Sequence, residues 1–169
     1  KAAAVAAIEG DVNQYTVTWG LPALREAIAA KARRFNGLDP DPVSEVTVAC
    51  GAAEAMACAL LSLVDPGDEV IVFEPFFETY VPDILMCGGV PVYVELHEPD
   101  FRFDPDELRR AFTARTRAII LNTPHNPTGR VFDDAELALI AALCQEHDVV
   151  AVTDEIYEHL TYDSHRHRS

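Results

Sequence analysis

The chain has 169 residues, 49% of them apolar, which is enough to bury the hydrophobic core of one domain. Its 28 acidic and 13 basic residues give a net charge of −15, which opposes binding to nucleic acid or to an anionic membrane surface. The predominantly apolar run at residues 55–64, with Ser62 as its one polar member, is shorter than the roughly 20 residues that a membrane-spanning helix needs. Composition therefore predicts a soluble protein with neither a nucleic-acid nor a membrane partner.

The cysteines have neither the spacing of a metal site nor that of a disulfide framework: Cys50, Cys58, Cys87 and Cys144. We interpret them as buried reduced thiols, which predicts a cytoplasmic protein. Two histidines near the C-terminal end, His165 and His167, are too few for a metal-binding tract. We therefore predict that the chain binds no metal.

Helix and strand patterns alternate along the chain. Pro22 begins one helix and Gly37 ends it, as expected for a proline in a first turn and a glycine at a helix end. The predicted helices are residues 1–10, 22–36, 52–64, 81–87, 105–112 and 135–147. The predicted strands are residues 46–49, 70–73, 90–96, 118–121 and 149–153. Because apolar strands alternate with helices, the predicted fold class is α/β, a mostly parallel sheet with helices on both faces.

Two of these helices begin with residues that favour N-capping. Asp104 and Glu107 have the spacing of a capping box, in which two side chains satisfy the free N–H groups of a helix start. Asp133 is an N-cap candidate for the helix at 135–147. Both positions mark the boundary between a loop and a helix.

Residues 122–129, Asn-Thr-Pro-His-Asn-Pro-Thr-Gly, directly follow the apolar strand at 118–121. Proline removes a ladder donor, so the segment predicts a rigid loop at the carboxyl end of a strand, where α/β sheets bind ligands. Asn126 precedes a proline, which favours an extended backbone and a fixed direction for its amide. That amide either donates to a phenolic or carbonyl oxygen of a ligand or bonds its own backbone in an Asx turn.

Other residues with useful chemistry fall at or just after predicted strand ends, so one pocket is expected to collect them. Gly51 precedes a helix whose free N–H groups suit an anion. Phe76 is either a flat platform for an aromatic ligand or part of the core. Asp154 follows the last strand and needs a cationic partner, and Tyr157 follows it by three residues.

Together these motifs resemble the fold-type-I pyridoxal-phosphate aminotransferases of class I and II. The resemblance rests on the following stretches: Asn-Gln-Tyr at 13–15, Gly-Leu-Pro-x-Leu-Arg at 20–25, Gly-Ala-Ala-Glu-Ala at 51–55, Glu-Pro-Phe-Phe at 74–77, the loop at 122–129 and Thr-Asp-Glu-x-Tyr at 153–157. It is greatest for the branch with kynurenine and glutamine aminotransferases, cysteine-conjugate β-lyases, and methionine or succinyldiaminopimelate aminotransferases. The resemblance implies that residues 1–12 end an N-terminal helix and that 13–169 form part of the large domain.

The resemblance also implies a role for each matching residue. Asp154 would pair with the pyridinium nitrogen of pyridoxal 5'-phosphate, and Asn126 and Tyr157 would bond its phenolic oxygen. Phe76 would stack on the ring. The backbone of Gly51, Ala52 and Ala53 would hold the phosphate, and Tyr15 would reach the phosphate of the neighbouring subunit in a homodimer.

Two departures from the family pattern affect these expectations. Ala53 stands where the family often has a hydroxyl residue, so one phosphate hydrogen bond is lost or replaced. The family also uses a Schiff-base lysine beyond the tyrosine motif, whereas this chain has only Lys1 and Lys31. The chain is therefore expected to be an inactive fragment, with the C-terminal part of the large domain missing.

Transfer of an amino group between an amino acid and a 2-oxo acid is the activity that the resemblance implies for the parent protein. A pyridoxal-phosphate-dependent β-lyase is an alternative, because both reactions begin with the same carbanion. A ligand-sensing domain of a regulator and a structural remnant without a ligand are further alternatives. The residues of this chain do not identify the amino-acid substrate.

Overall fold

The computed structural model describes residues 1–163 and 165–169, in two compact units, Lys1–Ala49 and Cys50–Ser169. The division at residue 12 that the sequence suggested stays a prediction. None of the described helices combines the length and the apolar character needed to span a membrane.

The first unit is helical. Helix α1 is Ala2–Glu9, and α2, Pro22–Lys31, continues into a π-helical turn, Ala32–Asn36, which Gly37 ends with φ +73°. The predicted strand at 46–49 is wrong, because these residues form no strand ladder in the described chain and Val48 N–H makes only a single 3.0 Å bond to Trp19 O. A strand needs a neighbour along its length, and all four described strands belong to the second unit.

The second unit contains a parallel sheet with strand order β2-β1-β3-β4. Its strands are β1 Glu69–Glu74, β2 Val90–Glu95, β3 Thr116–Asn122 and β4 Val150–Asp154. Its helices are α3 Ala52–Leu63, α4 Tyr80–Met86, α5 Pro105–Ala111 and α6 Asp134–His147. The predicted α/β class and parallel sheet are confirmed, and the boundaries differ from the predicted ones by one or two residues.

Two hydrophobic clusters lie on opposite faces of this sheet. Val70 and Val72 of β1 pack with Leu60 of α3 and Ile84 of α4. The alternate residues of the same strand belong to the cluster that also contains buried residues of α5 and α6: Ile71, Phe73, Leu108, Ile140 and Leu143. Successive side chains of a strand point to opposite faces, so a strand that is apolar throughout indicates helices on both sides.

The two predicted N-caps have different outcomes. Asp133 forms a complete capping box with Glu136 at the start of α6. Asp104 caps α5 through Asp106 N–H at 2.7 Å, but the capping box predicted with Glu107 is wrong. The Glu107 carboxylate instead accepts a 3.1 Å hydrogen bond from Glu95 N–H, because α5 packs beside the end of β2.

Replacement of Asp133 by alanine is expected to destabilise the protein by about 1 kcal/mol, because two N–H groups at the start of α6 lose their acceptor. Asp133→Asn is the matched control, since asparagine keeps an N-cap oxygen but not the charge. Urea unfolding of both variants measures the difference. Equal losses would show that the charge of Asp133, and not its capping, stabilises the helix.

Candidate active site

The carboxyl ends of β3 and β4 bring the chemically useful side chains together. Asn122 and Asp154 are partners in the parallel register, so the last residues of the two strands lie side by side. The loop that contains Asn126 leaves the sheet at this edge, and Tyr157 follows β4 by three residues. The strand-end position that the sequence predicted for these residues is therefore observed.

A cavity of about 250 Å³ opens at this edge. Its walls consist of Gly51, Ala52, Ala53, Met56, Phe77, Thr79, Tyr80, Asn122, Asn126, Asp154, Ile156 and Tyr157. Asp154 is the one charged residue among the described residues that line it. The cavity therefore combines apolar and aromatic walls with a single negative charge, a few polar side chains and a helix start.

The carboxylate of Asp154 is held by uncharged donors. Its Oδ2 accepts a 2.7 Å hydrogen bond from the hydroxyl of Tyr80, and its Oδ1 accepts one from Ile156 N–H at 3.2 Å. No lysine, arginine or histidine among the described residues forms an ion pair with it. The cationic partner that the sequence analysis expected for Asp154 is thus not supplied by the described chain.

Tyr80 was not identified from the sequence as a site residue. It begins α4 and is 3% exposed. Burial, together with its hydrogen bond to Asp154, raises the pKa of Tyr80 well above its ordinary value. The hydroxyl therefore stays protonated and acts as a donor. No local sequence signal marks it, since its partner lies 74 residues further along the chain.

Asn122 is a second residue whose role the sequence did not reveal. It is 4% exposed, and its amide Nδ2 donates to the backbone oxygen of Asp154 at 2.9 Å. Its Oδ1 accepts from Asn126 N–H at 2.7 Å. One buried side chain therefore fixes the backbone of both functional residues relative to each other.

The side chains of Asn126 and Tyr157 are available to a ligand. Both line the cavity, and neither the Asn126 amide nor the Tyr157 hydroxyl forms a hydrogen bond within the described residues. The Asx turn considered for Asn126 is not observed, since its side-chain oxygen accepts no hydrogen bond from the backbone of the described residues; its backbone N–H donates to the side chain of Asn122. Two polar groups therefore remain free beside Asp154.

The two phenylalanines after β1 have different positions. Phe77 lines the cavity. Phe76 stacks on Tyr93, with ring centroids 5.9 Å apart and planes 15° apart, and is not among the lining residues. The platform role of Phe76 stays a prediction, and the geometry adds Phe77 as the aromatic side chain that is in place for it.

Gly51, Ala52 and Ala53 form the start of α3 at the rim of the cavity. Gly51 has φ +92°, which favours glycine, and a Cβ there would contact nothing within 4 Å. The N–H groups of Ala52 and Ala53 belong to the first helical turn, where no intrahelical acceptor exists. The carboxylate of Glu54 turns back to Cys50 N–H. Two N–H groups are thus available to an anion.

The remaining predicted residues belong to the first unit. Tyr15 is fully exposed there. The amine of Lys31 donates to Asn36 Oδ1 at 2.9 Å and lies 4.9 Å from the ring centroid of Phe35. Lys31 is therefore engaged with neighbouring residues of its own unit.

His125 holds the loop before Asn126 in place. It is 4% exposed, and its Nδ1 lies 2.8 Å from the hydroxyl of Thr128. Its backbone N–H and oxygen bind Arg130 and Gly129, which closes the loop. Burial, assisted by the positive charge of Arg130, lowers the pKa of His125 to about 4.

One group of residues after β4 offers potential metal ligands. One ligand atom each from Glu155, Glu158 and His167 lies within 4.8 Å of the others, and no ion is present. His167 Nε2 is 2.8 Å from Glu155 Oε2, which is the distance of a hydrogen bond between imidazole and carboxylate. This contact stabilises the turn that follows Asp154.

Comparison with known proteins identifies one family. The family described as aminotransferase class I and II matches residues 1–169. The chain is 52% identical to a "Probable N-succinyldiaminopimelate aminotransferase DapC" of Mycobacterium tuberculosis over 98% of its own length and 42% of that relative. It is 45% identical to "Kynurenine--oxoglutarate transaminase 1" of Homo sapiens over 96% of its length and 42% of that relative.

Solved structures agree with this result. The chain matches the structure of N-succinyldiaminopimelate aminotransferase from Mycobacterium tuberculosis with a TM-score of 0.95 and 50% identity, covering 99% of this chain and 44% of that one. It matches a methionine aminotransferase of Escherichia coli with a TM-score of 0.95 and 40% identity, covering 98% of this chain and 43% of that one. The chain therefore spans about 42% of the length of the curated relatives that it matches.

His125 is expected to make stability depend on pH. The unfolded chain takes up a proton near pH 6.5 and the folded one only near pH 4, so stability is present above pH 6.5 and is lost as the pH falls. Between pH 7 and pH 5 the loss is about 2 kcal/mol. Denaturant unfolding at both pH values should show this difference in the wild type and not in His125→Gln. An equal loss in both proteins would contradict the assignment.

Proposed function

Because this chain belongs to the class I and II aminotransferase family, we propose that the protein containing it transfers an amino group between an amino acid and a 2-oxo acid. The observation that carries the proposal is the carboxylate of Asp154, which lies in a cavity with apolar walls and lacks a cationic partner among the described residues. Asp154 is half-buried, and a carboxylate partly removed from water beside apolar walls favours a cationic partner. A ligand that brings a protonated ring nitrogen supplies that partner.

The cavity fits pyridoxal 5'-phosphate by the chemistry of its donors and acceptors. A flat ring suits walls that contain Met56, Phe77 and Ile156. Asp154 suits a protonated ring nitrogen, and the free groups of Asn126 and Tyr157 suit a phenolic oxygen. A phosphate suits the free N–H groups at the start of α3.

We assign the individual roles accordingly. Asp154 accepts the ring N–H and keeps the nitrogen protonated, and Asn126 and Tyr157 bond the phenolic oxygen. Gly51, Ala52 and Ala53 hold the phosphate through their backbone. The cofactor, when bound, supplies a ring that withdraws electrons from the substrate Cα.

Two further roles follow from the resemblance. Phe76 is proposed to stack on the ring, with Phe77 as the neighbour that the cavity geometry supports. Tyr15, which is fully exposed in the first unit, is proposed to reach the phosphate of a second subunit in a homodimer.

The lysine that attaches the cofactor in this family is proposed to lie in a part of the protein beyond these 169 residues. Lys1 and Lys31 are the only lysines of the chain, and Lys31 is already engaged with Asn36. The isolated chain is accordingly proposed to be inactive. The four cysteines form no disulfide in the described chain, which supports a cytoplasmic location. The prediction that all four are buried is wrong, since Cys50 and Cys58 are exposed and only Cys144 is fully buried.

The relatives that the chain resembles carry aminotransferase or transaminase names, which supports transamination over a β-lyase or a regulator. The donor amino acid is proposed only as a class. It carries an α-amino group, and its 2-oxo acid is the product.

Replacement of Asp154 by asparagine in the complete protein is expected to reduce transamination about 10²- to 10³-fold, because a positioned charge opposite the ring nitrogen is removed. Amino transfer from a panel of amino acids to 2-oxoglutarate measures the effect. Glu155→Gln is the control, since Glu155 does not line the cavity and binds His167 instead. Equal losses from the two variants would contradict the role of Asp154.

Replacement of Ala53 by serine is expected to tighten binding of pyridoxal phosphate about 2- to 10-fold, because the new hydroxyl adds one hydrogen bond to the phosphate. Ala57→Ser, one turn further along α3, is the control and should leave the affinity unchanged. Fluorescence titration with pyridoxal phosphate measures the affinity of both variants and of the wild type. An unchanged affinity in Ala53→Ser would place the phosphate elsewhere.

A further inference from the structure

We infer that Tyr80 is a positioning residue that orients the carboxylate of Asp154 toward the ring nitrogen of the cofactor. The inference rests on the proposed function, because it concerns the same cavity and the same carboxylate. It adds a residue that lies outside every motif by which the family was recognised. The contact that carries it is the 2.7 Å hydrogen bond from the Tyr80 hydroxyl to Asp154 Oδ2.

The position of Tyr80 makes this contact rigid. Its side chain is 3% exposed and belongs to the core cluster that also contains Val70, Val72 and Ile120 of the sheet. The ring of Phe77 packs against it edge-on, with centroids 5.8 Å apart. A phenol enclosed in this way has little freedom to turn, so its hydroxyl defines one position for the carboxylate oxygen.

The Tyr80 hydroxyl can orient the carboxylate of Asp154 because it donates a hydrogen bond to it. Burial and the carboxylate both raise its pKa, so the proton stays on the phenol. A hydrogen bond from a neutral hydroxyl to a carboxylate is short and strong, and it leaves the negative charge on Asp154. The carboxylate is therefore held in place without the neutralisation that an arginine or lysine would bring.

The backbone of Asp154 is fixed independently of Tyr80. Asn122 Nδ2 and Thr123 N–H both donate to its backbone oxygen, at 2.9 and 3.2 Å. Ile156 N–H holds Oδ1 at 3.2 Å. Loss of the Tyr80 hydroxyl leaves the carboxylate with the Ile156 N–H as its one remaining donor, so it is expected to loosen the orientation of the carboxylate and to leave the strand end unchanged.

The test compares two ligands in the complete protein. One is pyridoxal phosphate, and the other is an analogue in which a C–H group replaces the ring nitrogen. Tyr80→Phe should weaken binding of pyridoxal phosphate about 10-fold or more and change the affinity for the analogue less than about 2-fold, because the analogue has no N–H for Asp154 to accept. The ratio of the two affinities is measured on the same folded protein, so a loss of stability does not affect it.

Two further variants complete the design. In an Asp154→Asn background, Tyr80→Phe should have no additional effect on the ratio, since Tyr80 acts through Asp154. Tyr162→Phe removes the hydroxyl of a tyrosine that is 72% exposed and lies outside the cavity, and it should change neither affinity.

The outcomes separate this inference from the proposed function. If Tyr80→Phe weakens the binding of both ligands equally, while the wild type still binds pyridoxal phosphate more tightly than the analogue, Tyr80 is only structural. The inference is then overturned. If the wild type does not distinguish the two ligands and Asp154→Asn changes neither affinity, the role of Asp154 is wrong and both proposals are overturned. If Tyr80→Phe weakens the binding of pyridoxal phosphate but not that of the analogue, the result supports both the inference and the proposed function.

Discussion

The single negative charge of Asp154 is the feature on which the rest of the cavity depends. Apolar walls make an unpaired carboxylate costly, and the described residues offer it two uncharged donors and no cation. Such a site favours a ligand that brings its own positive charge in a flat ring. The carboxylate therefore limits the class of ligand that the cavity is suited to bind.

The parallel sheet is what makes this arrangement accurate. Asn122 and Asp154 are register partners, so the buried amide of Asn122 reaches the backbone of Asp154 and of Asn126 at once. His125 closes the loop next to them as a neutral, buried side chain. Parts of the chain that are far apart in sequence are thereby linked by hydrogen bonds whose length and direction are restricted.

Tyr80 connects the site to the hydrophobic core. Its ring packs with the sheet and its hydroxyl reaches Asp154, so one residue joins core packing to the orientation of the proposed reactive group. This dependence has a general consequence. Substitutions in the core beneath Tyr80 would act on the cavity through the carboxylate, even when they contact no ligand.

Local patterns in the sequence determined the α/β class, the parallel sheet, the capping of α6 by Asp133 and the strand-end position of Asn126 and Asp154. Periodicity, capping preference and the geometry of proline depend on neighbouring residues, so one sequence is sufficient to predict them. The tertiary structure alone decided that Tyr80 binds Asp154 and that Phe77 lines the cavity. It also decided that Glu107 turns to β2 and that residues 46–49 form no strand in the described chain. These outcomes depend on which distant groups become neighbours, because a hydrogen bond or a strand ladder forms only where the fold brings its second partner.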